Sequence, residues 1–218
     1  MQKITIEDLA QPTATPDKTT GRTLILNNAA RLFRTKGYAA TSLRDLAAAC
    51  NMKAGSIYYH FESKDAIVAE VLRIGVAQVY EEVRRVTTEL GEQASSDDLI
   101  YAAVLAHLKS LHDSIDYTSA NIRIFGQVPP EVRQTHLPLR TEYEGYWQRL
   151  IEQCNQKGAF SSQRNLRLAS FFLLGLMNST LEWFQPNKTS IADIGLEITT
   201  IFIHGMGDTV NTSVQHSQ

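Results

Sequence analysis

The stretch Thr41-Ser-Leu-Arg-Asp-Leu-Ala-Ala-Ala-Cys50-Asn-Met-Lys-Ala-Gly-Ser-Ile-Tyr-Tyr-His60-Phe-Glu-Ser-Lys64 decides the fold. Leu43, Leu46, Ala47 and Cys50 recur at i, i+3, i+4 and i+7, which places four side chains on one helix face and leaves Arg44 on the other. Ser42 reads as the N-cap, and Asp45 three residues on completes a capping box at the positive end of the helix dipole. Asn51 supplies the turn. A second short helix repeats the spacing at Ala54, Ile57, Tyr58 and Phe61, with Lys53, Gly55, Ser56, Tyr59 and His60 directed outward. Gly55 and Ser56 add almost no bulk, so the start of this helix can approach base edges in a major groove about 12 Å wide, flanked by Tyr59 and His60. The pair predicts a helix-turn-helix that docks on double-stranded DNA. An ordinary packed hairpin is the alternative, but it does not require basic and hydroxyl side chains on its outer faces.

Lys64 supports the same reading independently. Ser63 looks like the cap of the next helix, and a cation in a first turn opposes the dipole, so the charge needs another reason. A phosphate held by the amides of that helix start and by the ammonium group provides one. Upstream, a bracing helix is expected from about Arg22 to Lys36, with Leu26, Ala29, Ala30 and Phe33 inward and Gly37 as its stop. Residues 1–20 are polar and expected to form a mobile arm. There Lys18, with Arg22 just beyond, either touches the minor groove or is merely solvated.

The formal charge of −2 looks wrong for a nucleic-acid binder until it is divided along the chain. Residues 18–64 hold eight Lys or Arg against Asp45 and Glu62, a local +6, so the remainder carries −8. A basic module on an acidic body fits a DNA-binding head joined to a separate sensing or assembly unit, because counterion release depends on local charge. With 43% apolar and 20% charged residues the chain is an ordinary globular one. Cys50 and Cys154 each fall on an apolar helix face and read as core. No apolar run reaches the roughly 20 residues of a membrane span, and the N-terminus lacks a signal-type apolar region, so no membrane partner and a cytoplasmic location are expected.

Beyond the head, Ile67, Val68, Val71, Leu72, Val79, Val83 and Val86 sustain one long helix to about Leu90. Such a helix is a lever between head and body. Further helices are expected over about Leu99 to Asp113 and Tyr117 to Phe125. Another opens at Pro129-Pro130-Glu131 and is interrupted or kinked by Pro138. A wide apolar stripe then runs to Gly158. A very hydrophobic helix spans about Arg164 to Phe184, and a last helix is capped by Ser190-x-x-Asp193. No alternating β pattern or internal repeat is present, so the chain is expected to be all-α with about nine helices. The expected organisation is an arm over 1–20, a helix-turn-helix head over 21–68, a ligand-binding and dimerisation body over 69–207, and a disordered tail over 208–218. The last two helices carry too much apolar surface for a monomer and are the expected dimer face.

The run Gly37-Tyr38, Thr41-Ser42 and Gly55-Ser56-Ile57-Tyr58-Tyr59-His60-Phe61 with Lys64 resembles the DNA-binding domain of TetR/AcrR regulators over about residues 22–68. By that resemblance Ser42, Tyr58, His60 and Lys64 hold phosphates, while Arg44, Ala54, Gly55, Ser56 and Tyr59 face bases. Tyr58 is open to a second reading, in which its ring is core and only the hydroxyl reaches the DNA backbone. Ala54 departs from the family, whose strong base readers carry a longer polar side chain there. The resemblance also implies a homodimer formed through a four-helix bundle. Two-fold symmetry then predicts a palindromic operator.

For a ligand pocket the candidates are Phe125, Tyr143, Trp147, Met177, Leu181 and Trp183, soft and aromatic side chains from three helices that either converge or simply pack. The segments Asn121–Arg133 and Leu181–Pro186 look similar to TetR members that respond to acyl-CoA thioesters. That resemblance implies an apolar tunnel, with Arg123, Arg133, Arg140 or Arg149 meeting nucleotide phosphates unless these are ordinary ion-pair partners. Enzymatic motifs are missing: no nucleophile elbow, phosphate-binding Gly-rich loop, cofactor fingerprint or metal-ligand spacing occurs, and His107 and His112 are five apart. The expected function is a ligand-responsive repressor released from its operator by a small hydrophobic molecule or acyl-CoA. A helical enzyme or carrier acting on such a molecule is the competing class, and a DNA-packaging protein is a third.

Overall fold

In the computed structural model, which describes residues 20–160 and 165–207, nine helices and no strand are found among the described residues. In chain order they are α1 (Gly21–Lys36), α2 (Leu43–Ala49), α3 (Ala54–His60), α4 (Lys64–Leu90), α5 (Ser96–Asp113), α6 (Ile115–Ile124), α7 (Pro130–Gln156), α8 (Leu166–Trp183) and α9 (Ile191–Gly207). The all-α expectation therefore holds. The arm, apart from Thr20, and the tail lie outside the described residues.

Local chemistry sets most of the boundaries. The Thr20, Ser63, Ser95 and Asn165 side chains each accept a backbone N–H in the first turn of α1, α4, α5 and α8. Ser42 and Asp45 form the expected reciprocal capping box on α2. On α9, Ser190 accepts from the Asp193 N–H at 3.0 Å while donating to its carboxylate at 2.7 Å. Asn51 occupies the left-handed region with φ 52°, as a tight turn between α2 and α3 requires. Three boundaries differ from expectation. Helix α5 starts at Ser96 rather than Leu99, because Ser95 caps it. Helix α6 starts two residues early, at Ile115. Pro138 does not interrupt α7: it lies on the exposed flank, and the helix continues through it to Gln156.

Two hydrophobic cores form, and they do not divide at residue 68. The first holds Ile25, Ala29 and Phe33 of α1, Leu46 of α2, Ile57 of α3 and Ile67 to Leu72 of α4. It also holds Ala120 and Ile124 of α6 with Val128 and Val132 at the start of α7. The second joins Val79 to Val86 of α4 with α5, the rest of α7, α8 and α9. Chain order and packing therefore differ: α6 follows α5 in sequence, yet its Ala120 and Ile124 are buried with α1, α2 and α3. Cys50 and Cys154 are buried free thiols, pushed upward in pKa by desolvation, as a packing role implies.

Candidate nucleic-acid interface and ligand cavity

The head presents a helix anchored by very few side chains. Ile57 and Phe61 reach the core, while Ala54, Gly55, Ser56, Tyr58 and Tyr59 are all exposed, Tyr58 at 59% and Tyr59 at 88%. The expectation that Ala54 and Tyr58 share the buried face is corrected. A seven-residue helix touches the core along one narrow ridge, so only positions 57 and 61 are covered. Nothing lies within 4 Å of a Cβ built on Gly55, which keeps the helix start open to an incoming base edge. Lys53, at the N-cap of α3 with no capping bond of its own, and Arg44 on α2 are exposed beside it. Ser42 is exposed at the start of α2.

His60 and Lys64 serve the architecture as well as the surface. The His60 ring is half-buried, edge-on to Tyr59 at 5.1 Å. It lies so close to α1 that a Cβ on Gly21 would stand 2.7 Å from its Nε2. The Lys64 ammonium donates to the Tyr38 and Thr41 carbonyls, both at 3.0 Å, and sits 4.0 Å from the Tyr38 ring centroid. Two of its three hydrogens are thereby used inside the protein. The Tyr38 hydroxyl donates to Asp65, and burial first, then that carboxylate, pushes the phenol up to about 12. This Tyr38, Lys64 and Asp65 clamp was missed in the sequence. The closeness of Tyr38 to Lys64 arises from the turn between α1 and α2, and no spacing rule reports it. Arg22, one of the two arm cations considered for the minor groove, pairs with Glu70 at 3.3 Å and lies over the Phe61 ring.

In the body, a cavity of about 280 Å³ opens between α4, α5, α6, α7 and α8. Val76, Val79, Leu111, Ile122, Phe171 and Leu174 form its apolar wall, and His107, Tyr143 and Asn178 contribute polar atoms. His107 is fully enclosed, with Nδ1 2.7 Å from the Tyr143 hydroxyl and Nε2 3.2 Å from the Asn178 oxygen. Burial lowers its pKa to about 4, with the Asn178 bond opposing and His112 adding to the shift, so the ring is neutral at pH 7. Burial likewise pushes the Tyr143 phenol upward. Arg140 lines the cavity paired with Glu144 at 3.1 Å, its guanidinium over the Phe125 ring.

Of the six pocket candidates only Tyr143 lines this cavity. Trp147 and Met177 are fully buried in the body core beside it, with the Trp147 indole edge-on to the Tyr143 ring at 6.4 Å. Phe125 packs against the head core, Leu181 is half-buried elsewhere, and Trp183 is exposed with its N–H on Ser179 at 3.3 Å. The aromatic stripe of α7 is helical packing, and period alone cannot distinguish a wall from a core. Among the four arginines, Arg123 pairs with Glu182 and Arg149 with Glu142 on the surface, and only Arg140 borders the cavity. His107 was passed over for its spacing from His112, which turns instead to Thr180 at 2.9 Å. The available signal was a histidine inside the otherwise apolar run Ala102 to Leu108.

Comparison with known proteins reads this arrangement at the level of family. A family model described as bacterial regulatory proteins, tetR family, matches residues 25–71, and one described as tetracyclin repressor-like, C-terminal domain, matches residues 93–206. The chain belongs to the TetR family. A TetR-family relative, the HTH-type transcriptional repressor KstR2 of Rhodococcus jostii strain RHA1, is 27% identical over 204 residues, covering 90% of this chain and 96% of that protein. Two solved structures share the fold. One is a regulatory protein of the tetR family from Rhodococcus RHA1, with TM-score 0.77 and 19% identity, covering 88% of this chain and all of that one. The other is the ketosteroid transcriptional regulator KstR2 of Mycobacterium tuberculosis, with TM-score 0.75 and 18% identity, covering 88% of this chain and 98% of that one. This TetR-family chain is a DNA-binding transcriptional regulator and not an enzyme. Among its described residues, no helix is long and apolar enough to cross a membrane.

Proposed function

We propose that the protein is a homodimeric repressor whose two heads read a palindromic operator and are released when a small hydrophobic ligand, free or as the acyl part of a CoA thioester, enters the body cavity. The observation that carries this reading is the double role of α6. Its Thr118, Asn121 and Ile122 line the cavity, while Ala120 and Ile124 are buried in the head core. Asn121 also donates to the Leu72 carbonyl of α4 at 2.7 Å, and Tyr117 donates to Asn27 of α1 at 2.7 Å. A ligand that displaces α6 therefore acts on packing shared with the reading helices, the physical content of a population shift between two head spacings.

On the DNA side, Ser42, Tyr58, His60 and Lys64 are assigned to phosphates, and Arg44, Lys53, Ala54, Gly55, Ser56 and Tyr59 to the groove. The exposure of all of these but the half-buried His60 and Lys64, around a small-residue helix start, supports this. The dimer is supported by Leu168, Phe172 and Leu176 on α8 with Leu196 and Ile201 on α9, large apolar side chains exposed together, Phe172 at 71% and Ile201 at 61%. Recognition helices entering successive major grooves then stand about 34 Å apart. A relative named as a repressor supports the direction of regulation. Selection of bound fragments from a genomic library by the purified protein tests the whole reading. One recovered palindrome, lost on addition of an acyl-CoA mixture or a hydrophobic ligand pool, is the expected result. Recovery untouched by either addition refutes ligand release, and absence of any enriched palindrome refutes the dimeric operator. Tyr59→Ala, at an almost fully exposed position, should abolish enrichment while leaving the thermal midpoint unchanged.

A further inference from the structure

The polar end of the cavity is a chain of three side chains, and its proton arrangement constrains what binds there. Asn178, His107 and Tyr143 all line the cavity and are joined in series through the two ring nitrogens of His107. With the Asn178 oxygen on Nε2, that nitrogen carries the proton and Nδ1 accepts from the Tyr143 hydroxyl. The Asn178 amide hydrogens are then left to donate. In the other tautomer the amide is turned over, Nδ1–H donates to the Tyr143 oxygen, and the phenolic hydrogen becomes the free donor. Either way at least one Asn178 amide hydrogen is free to donate, in the second arrangement the Tyr143 hydroxyl hydrogen and the Asn178 oxygen are free as well, and the chain carries no net charge.

Charge elsewhere in the cavity does not change this. The buried His107 ring stays neutral well below pH 7, so it supplies no cation. Arg140 is already compensated by Glu144 one turn along α7. An anionic group brought to the polar end, beside the buried His107 and Tyr143, would lose hydration there, and the one cation of the lining, Arg140, is already paired with Glu144. A neutral oxygen, by contrast, matches a free donor or acceptor of the chain, and the apolar wall covers a carbon skeleton.

We propose that the cavity recognises an uncharged ligand, a mostly hydrocarbon skeleton bearing a ketone or alcohol oxygen that is held by the Asn178, His107 and Tyr143 chain. This rests on the reading of the cavity as the effector site and specifies the chemistry of that effector. Because the chain reverses its polarity by tautomer exchange, it accepts either oxygen function while discriminating against a carboxylate at the same position.

Competition binding to the full-length protein tests this with three probes on one bicyclic skeleton: 2-decalone, 2-decalol and decalin-2-carboxylate. The ketone and alcohol are expected to bind with comparable affinity, and the carboxylate about 100-fold more weakly or worse at pH 7.5. Asn178→Leu, close in volume, should weaken the ketone roughly tenfold, one hydrogen bond to a buried neutral group. Tyr143→Phe should do the same for the alcohol. The discrimination among probes is read on the unaltered protein, so a variant that fails to fold leaves that test intact. A carboxylate bound as tightly as the ketone overturns the neutral-oxygen proposal while leaving the cavity as a ligand site. Ketone binding unchanged in folded Asn178→Leu removes the chain from recognition. Failure of all three probes to bind overturns the effector-site reading itself.

Discussion

Gly75→Ala tests the joint between cavity and head. A Cβ built on Gly75 of α4 stands 2.7 Å from the Tyr117 carbonyl oxygen and 3.0 Å from its carbon, both backbone atoms of α6. Ordinary contact begins near 3.4 Å, so the first turn of α6 must retreat by about 0.7 Å. It cannot do so freely. Thr118 donates to the Leu111 carbonyl at 2.7 Å, Asn121 to Leu72, and Tyr117 to Asn27, so the turn is tied to α5, α4 and α1 at once. Overpacking of this kind costs about 1–3 kcal/mol, and replacing glycine within a helix returns about 0.5–1 kcal/mol. The net loss should be about 0.5–2 kcal/mol, seen as a thermal midpoint about 2–6 °C lower for a chain of this size. Gly145→Ala on α7 is the control. There the nearest atom is the mobile Arg149 guanidinium at 3.3 Å, and the midpoint should hold or rise. Differential scanning calorimetry of both variants gives the midpoints, and fluorescence anisotropy on the selected palindrome should show operator affinity reduced several-fold in Gly75→Ala alone. A midpoint raised equally in the two variants would refute the argument, because it would mean that α6 yields without resistance and transmits nothing.

Acid should destabilise the protein before its carboxylates titrate. Burial lowers both His107 and His136 from 6.5 to about 4, with Arg140 adding to the shift of His136. The unfolded chain therefore binds more protons between those values, and stability present above pH 6.5 is lost as pH falls towards 4, by up to about 3 kcal/mol per histidine. Urea midpoints at pH 7.5 and 5.0 should differ accordingly, less so in His107→Gln, and equal midpoints would contradict the burial argument. Lys64→Ala should lower stability by about 2 kcal/mol, since two carbonyls lose a charged donor. It should also reduce the salt slope of operator binding by about one phosphate, and a variant of unchanged midpoint would show that the Tyr38 and Thr41 contacts contribute nothing. Phe172→Asp should yield a monomer by analytical ultracentrifugation with little change in the stability of the subunit, because the ring is mostly exposed in it. Persistence of a dimer would place the interface elsewhere.

The head was legible in the sequence because its determinants are local. The capping box of Ser42 and Asp45, the turn at Asn51, the stop at Gly37 and the caps at Ser63 and Ser190 each depend on residues within a few positions of one another, and all stand where the spacing puts them. The number and type of helices followed from period, and the division of charge between a basic head and an acidic body followed from counting. Tertiary structure decided what period cannot resolve. Trp147 and Tyr143 lie one turn apart on the same stripe of α7, yet one is enclosed core and the other borders the cavity, because the helices they face differ. His107 became a cavity residue through Tyr143 and Asn178, 36 and 71 positions away. Lys64 was read from its own helix as a phosphate ligand, and its ammonium is shared with carbonyls more than twenty residues earlier. Alpha-helical patterning fixes which side of each helix is apolar. Whether that side meets core, cavity, head or a second subunit depends on how helices distant in sequence pack, and here that packing makes α6 common to the cavity and the head.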